Sequence, residues 1–298
     1  MRRTILFIIS VLACAYAHAQ IPFKQSLEVS IAEPVILDIA VSRGDVTIGY
    51  AHAGEVTIYG RAKDLNGKNI SDEFFKTGLL VEQHKNRISI RDSLAVAVDV
   101  TTSVSYTIDV PFQTEVTSFI AGSGNQTLIG ISGPAKLNTR VGDIEASFVS
   151  FAAVEAVTGK GNISCSRVLQ VKAETGAGNI TLMEDGPSKA AIKKGSGRIE
   201  VGGARGSFEG STDIGDLHIK AFPYGNWHLT SVAGNIRVEL PPKAKFRLDA
   251  NTLLGKIFVE HNAIQKVSDD DVRQLQQEVN GGGKSIQARS NNGNIFIQ

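Results

Sequence analysis

The chain has 298 residues, with 31 Lys and Arg set against 30 Asp and Glu, and 42% of it is hydrophobic. That length supports a sizeable core, and the cancelling charge excludes a protein that binds nucleic acid through a basic, counterion-displacing face. With 30 Gly, 8 Pro and 6% aromatics, the chain is turn-rich without being low in complexity.

Residues 1–19 read as an export signal. Arg2 and Arg3 supply the positive start, Ile5 to Ala13 the apolar stretch, and Ala17-His18-Ala19 a small-x-small cleavage site before Gln20. The apolar stretch is too short to span a bilayer and no later segment approaches the length needed, so no transmembrane segment is expected. Val11-Leu12-Ala13-Cys14 offers a second reading, a lipid anchor at Cys14. The Ala-His-Ala site is the better formed of the two, and Leu12 fits a lipidation box poorly. After ordinary cleavage Cys165 is the sole cysteine, so no internal disulfide staples the chain.

Leu37, Ile39 and Val41, followed by Gly44-Asp45-Val46-Thr47-Ile48, form the first strand, corner, strand unit. The pattern breaks from Arg61 to Asp92, where residues 71–78 predict a short helix capped by Ser71. Val104 to Val110 returns to alternation, with Pro111 at the strand end.

From there the unit repeats. A marker glycine recurs at Gly124, Gly142, Gly161, Gly178, Gly197, Gly215, Gly234, Gly255 and Gly293, at spacings of 17 to 21 residues and a last gap of 38. Two residues after it stand Ile144, Ile163, Ile180, Ile199, Leu217, Ile236, Ile257 and Ile295; four after it stand Ala146, Cys165, Leu182, Val201, Ile219, Val238, Val259 and Ile297. Polar residues separate them, which is the period-two mark of a strand with one buried face. The slot places Cys165 among core positions, as a small hydrophobe. Three residues before the glycine stand Thr139, Thr158, Thr175, Thr212, Ser231, Thr252 and Ser290. The glycine and the Asn or Asp after it suit a tight corner. We take Gly142, Gly161, Gly178, Gly197, Gly215, Gly234, Gly255 and Gly293 as structural corner residues.

One such unit cannot bury its own apolar face, but stacked units can. The expected fold is therefore all-β: a parallel β-solenoid, or β-helix, wound right-handed, with coils of about 18–19 residues. A series of antiparallel hairpins is the alternative. Near the end, residues 268–280 predict a helix capped by Ser268, and the closing Asn294 to Gln298 gives a last coil with an open edge. The predicted organisation is a signal at 1–19 and one solenoid domain at 20–298. Within it lie an irregular part with early coils (20–112), regular coils (113–260), a helical insertion (261–283) and the last coil (284–298).

Residues 106–147, with a strand ending in Val110-Pro111 and then Thr139-Arg140-Val141-Gly142-Asp143-Ile144, resemble an adhesin-like family of bacterial exported proteins built from repeated Gly-Asp/Asn-Ile units. The resemblance runs from about Leu37 to Gln298 and implies a solenoid of the kind seen in autotransporter adhesin heads. It brings no catalytic residues. Gln126 departs from it, standing where the other coils carry Ile or Leu, and predicts a distorted first coil.

Enzymes on such scaffolds place clustered acids and bases on adjacent outward positions. The nearest pairs here are Asp143 with Glu145 and Arg198 with Glu200, each isolated among neutral amides, as on a solvated face. His52, His84, His218, His228 and His261 lack ligand spacing; His218 and His228, in successive coils, read as a surface pair. Asp269 to Asp271 read as the acidic first turn of the helix. The Gly-rich pieces lack the Walker pattern, and the Asn-x-Ser/Thr matches arise from the repeat itself. Phe258 and Phe296 point outward as an aromatic pair, with Trp227 inward. No catalytic, cofactor or metal residue is expected. The function read from the sequence is a non-enzymatic, exported binding or structural protein of the cell envelope, adhesin-like, whose partner is a cell-surface glycan or an envelope protein. A polysaccharide-active enzyme and a scaffold partner docking through the open edge are the alternatives.

Overall fold

The computed structural model describes residues 21–65, 79–92, 102–183, 189–203, 206–264 and 272–298. The signal, Cys14, the helix at Ser71 and the residues 265–271 that would open the C-terminal helix lie outside them.

Each repeat folds as expected from its alternation. A longer strand such as Gln170–Ala177 runs into the Gly178-Asn179 corner and continues as a short strand, Ile180–Met183. The two strands of one coil join different sheets, and each pairs in parallel with its equivalent in the next coil. Val154 lies opposite Val171 and Thr158 opposite Thr175 in one sheet; Ile163 faces Ile180 and Cys165 faces Leu182 in the other. The result is two sheets of 13 strands, and the hairpin alternative is ruled out for the repeats. Their inner faces close on a continuous core of Val, Ile, Leu and Ala side chains, nearly all fully buried. At roughly 1.5–3 kcal/mol for each buried aliphatic side chain, contact between neighbouring coils dominates stability.

Gln126 takes a core position opposite Ile144 and is buried. Its Nε2 donates to Asn138 O at 2.6 Å, while Oε1 finds no partner. The register of the next pairing slips between Thr139 and Val141, so this coil is distorted as expected.

The ends are less regular. Arg87–Asp92 pairs in parallel with Val35–Val41, and Thr102–Val110 with Val46–Tyr50. Antiparallel strands then finish both sheets: Glu55–Asp64 and Ile21–Glu28 on one, Leu79–His84 on the other.

Two expectations at the C-terminus are corrected. Gln274–Val279, assigned to a helical insertion, is a strand antiparallel to Phe246–Thr252. Leu275 and Val279 are its buried residues, and a spacing of four satisfies both the helical and the strand period. The unpaired backbone of Phe246–Thr252 decides between them, because a strand satisfies it and a helix would not.

The last coil, in turn, is not at the end of the stack. Lys284–Asn292 lies between Trp227–Ala233 and Phe246–Thr252, and Ile295–Ile297 between Ile236–Glu239 and Ile257–Val259. Both of its edges are paired, so the open edge expected there does not exist.

Candidate functional site

Corner chemistry organises the stack into three columns. In the first, the glycines sit directly upon one another, and a Cβ on any of Gly142, Gly161, Gly178, Gly197, Gly215, Gly234, Gly255 or Gly293 would overlap the carbonyl oxygen of the marker glycine in the adjacent coil. The first six also have φ between +124° and +157°. At Gly255 and Gly293 the close approach alone imposes glycine.

The second column consists of hydroxyls facing inward. Thr139, Thr158 and Thr175 donate to the carbonyls of Gly124, Gly142 and Gly161 at 2.9–3.0 Å, each reaching the preceding coil. Ser231, Ser290 and Thr252 do the same to Gly215, Gly234 and Gly293 at 2.7–3.1 Å.

The third column is an amide row on the corner. Asp45 accepts from the backbone N–H of Asn125, Asn125 from Asp143, Asp143 from Asn162, Asn162 from Asn179 and Asn179 from Arg198, at 2.6–2.9 Å. The row resumes from Asp216 to Asn235, Asn294 and Lys256. Each oxygen satisfies a corner donor that would otherwise be orphaned.

Both the hydroxyl and amide rows fail at one coil, Lys189–Gly202. Where the hydroxyl belongs stands Lys194, buried at 2% exposure, its Nζ donating to Arg198 O at 3.0 Å. In the following coil Thr212 Oγ1 is buried without a partner. Where the amide belongs stands Arg198, which has no acceptor to offer the next coil. Burial pushes the Lys194 ammonium down to about 8.

Replacing Lys194 by Thr is expected to raise stability by about 1–3 kcal/mol at pH 7, read as the urea midpoint. The sign follows from the shift. Between pH 8 and the usual 10.5 the unfolded chain binds more protons at this lysine than the folded one, so its destabilisation is complete below 8 and fades as pH rises. The gap between wild type and Lys194→Thr should therefore narrow above pH 8.

Outside this coil's corner lies a shallow depression of about 360 Å³ lined by Asn179, Thr181, Arg198 and Glu200. Among the described residues the Arg198 guanidinium and the Glu200 carboxylate have no hydrogen-bond or ion-pair partner. Asn179 spends only its oxygen, on Arg198 N.

The remaining sequence candidates are engaged elsewhere. Asp143 Oδ1 accepts from the backbone N–H of Asn162 as part of the corner row. His218 and His228 lie in different sheets and do not meet. His218 Nε2 stands 2.7 Å from Glu239 Oε1 and His228 Nδ1 stands 3.0 Å from Gln287 Oε1. The hydrogen bond from His218, helped by Lys220, holds the Glu239 carboxyl below its usual range. Trp227 is fully buried and donates to Gly206 O. Phe258 and Phe296 stack at 5.0 Å and 11°, with the Arg237 guanidinium 5.3 Å over the second ring. No group of His, Cys, Asp and Glu able to hold a metal occurs among the described residues.

Cys165 is buried, and desolvation raises its thiol to about 12. We expect a thiol reagent at pH 8 to leave the native protein unmodified over an hour and to label one thiol per mature chain in denaturant.

Two parallel sheets wound coil by coil on glycine corners, with a polar outer face and one interrupted coil, define a β-solenoid repeat protein. The chain belongs to the Toastrack DUF4097 family, whose model matches residues 20–298. Among solved structures it is similar to a candidate adhesin from Bacteroides fragilis at 13% identity, covering 93% of this chain and 95% of that one, with a TM-score of 0.39. A candidate lipid-binding protein from Parabacteroides distasonis matches at 12% identity over 93% and 96%, TM-score 0.34. A candidate cell adhesion protein from Clostridium sporogenes matches at 11% over 93% and 98%, TM-score 0.25. No curated protein matches the chain in sequence. No helix among the described residues is long and apolar enough to cross a membrane.

Proposed function

We propose that this protein is an exported, non-enzymatic binding element of the cell envelope, adhesin-like, which holds a surface glycan against the outer face of its short-strand sheet. The export leader at 1–19 supports the compartment. The observation that carries the binding reading is the interrupted coil: among the described residues, charged and hydrogen-bonding groups stand free over a depression where both stabilising rows are given up. Proteins retain such local costs where a site requires them.

The non-enzymatic reading is supported by how the nearby acids are used. Asp143 and Asp216 are corner acceptors, Glu239 holds His218 and Lys220, and Asp249 pairs with Arg289. We also take the solenoid to wind right-handed, the sense that parallel crossovers favour.

The test is retention of the mature chain, Gln20 to Gln298, on immobilised envelope and extracellular polysaccharides, with new reducing ends assayed in the flow-through. Retention without new ends is the expected result. Retention with new ends would establish an enzyme instead, and no retention would favour an envelope protein as partner.

A further inference from the structure

The identity of the residues that interrupt the rows carries more than the existence of a site. Both replacements, Lys194 and Arg198, are cations, and they are linked, since the ammonium of the first donates to the backbone carbonyl of the second. Glu200 is the acid that lines the depression with them. With Asp216 at the same corner position of the next coil, the two cations and two carboxylates balance, and the Arg198 guanidinium is the cation left without a partner among the described residues.

The other charges nearby are directed elsewhere. Asp216, in the next coil, spends Oδ1 on Asn235 N, and His218, opposite Glu200 in register, is turned to Glu239. Lys220 closes on the same glutamate. Lys193 lies on the neighbouring sheet, its register partners being Glu174 and Ser211.

Around that guanidinium are groups suited to hydroxyls. Thr181 can donate and accept, Asn179 has a free amide N–H₂ and Glu200 accepts. Coils repeat about every 4.8 Å, so a polymer laid along the solenoid axis meets a new set of outward side chains with each short step. Beyond Glu200 these are His218, then Arg237, then the stacked Phe296 and Phe258.

We propose that the depression at Lys189–Gly202 binds an acidic sugar, a uronate residue within a polysaccharide, with Arg198 taking its carboxylate and Glu200, Thr181 and Asn179 its hydroxyls. The proposal rests on the glycan-binding reading above and narrows it to one ligand class and one coil. A sugar carboxylate matches the planar fork of the unpartnered Arg198 guanidinium, which takes two parallel hydrogen bonds, and the flanking hydroxyl-binding groups suit the rest of the ring. Lys194 acts as a positioning residue that sets the Arg198 backbone and adds positive field from beneath.

The experiment uses the full mature chain and two probes, oligogalacturonate and its fully methyl-esterified form, titrated calorimetrically. Wild type is expected to bind the acid form at least ten-fold more tightly than the ester. Arg198→Gln should weaken the acid form about ten-fold or more while leaving the ester unchanged, and Glu200→Gln should weaken both. Arg140→Gln, an exposed cation at a distant coil, serves as the control and should change nothing. Unfolding midpoints confirm that each variant is folded. Equal affinity for acid and ester, or acid binding that survives Arg198→Gln, overturns this site while leaving glycan binding in place. Failure of both probes together with failure of the polysaccharide panel overturns the glycan reading itself.

Discussion

Gly178→Ala is expected to cost about 4 kcal/mol or more and to leave little folded protein at moderate urea. Gly178 sits at φ +144°, a region that L side chains rarely adopt, and its Cβ would overlap the carbonyl oxygen of Gly161 in the coil below. The conformational strain alone is of order 1–3 kcal/mol. Relieving the overlap would push two coils apart, lengthening the backbone bonds from Gly161 N to Ala177 O and from Ile163 N to Asn179 O, both 2.8 Å. Gly281 provides the control. It also has positive φ, at +86°, but nothing lies within 4 Å of a Cβ there, so Gly281→Ala should cost only about 1 kcal/mol. Comparable urea midpoints for the two variants would show that the glycine column is not closely stacked.

Truncation after Asn280 should have a larger effect and reach further along the chain than the residues removed. It deletes Ile286, Ile295 and Ile297, all fully buried, at roughly 1.5–3 kcal/mol each. Because this coil is intercalated, its loss also detaches Phe246–Thr252 and Ile257–Val259, whose parallel partners it supplies. Hydrogen exchange distinguishes the alternatives. Amides of Phe246–Thr252 should lose protection in the truncated chain, while those of Gln170–Ala177 keep theirs. Protection persisting across 246–252 would mean that the last coil is a terminal addition.

Much of this fold was legible because stacking rewards likeness. Marker glycines at one spacing, with Ile two residues on and Val or Ile four on, can bury their faces only by pairing in register. The hydroxyl and amide positions were visible too. What they bond to was not, because the partner of each, an acceptor for the hydroxyls and a donor for the amides, lies a coil or more away in sequence.

Chain order misled at the C-terminus, since a repeat shows which segments are alike and not which are neighbours. Asn294 accepts from Lys256 N and donates its own N–H to Asn235, as an inner member of the row does. The helix expected over 268–280 is a strand at Gln274–Val279 because apolar residues four apart fit either period, and only the unpaired neighbouring strand selects between them.

The candidate site was half visible. Arg198 and Glu200 stood out as a pair on the outer face. Lys194 supplied the stronger signal, as the single residue without a hydroxyl three places before any of the eight corner glycines from Gly142 to Gly293. Its meaning depends on burial beneath Arg198, which only the folded stack shows.

The central claim is that the coil Lys189–Gly202 gives up stability to present charge. The most direct measurement is the urea midpoint of the double variant Lys194→Thr, Arg198→Asn, which writes both rows back into the sequence. The account predicts a protein more stable than wild type by about 2–4 kcal/mol, with one hydroxyl bond and one amide bond restored and one buried ammonium removed. An unchanged or lower midpoint would contradict it, and would mean that the two cations belong to the stack as ordinary structural residues.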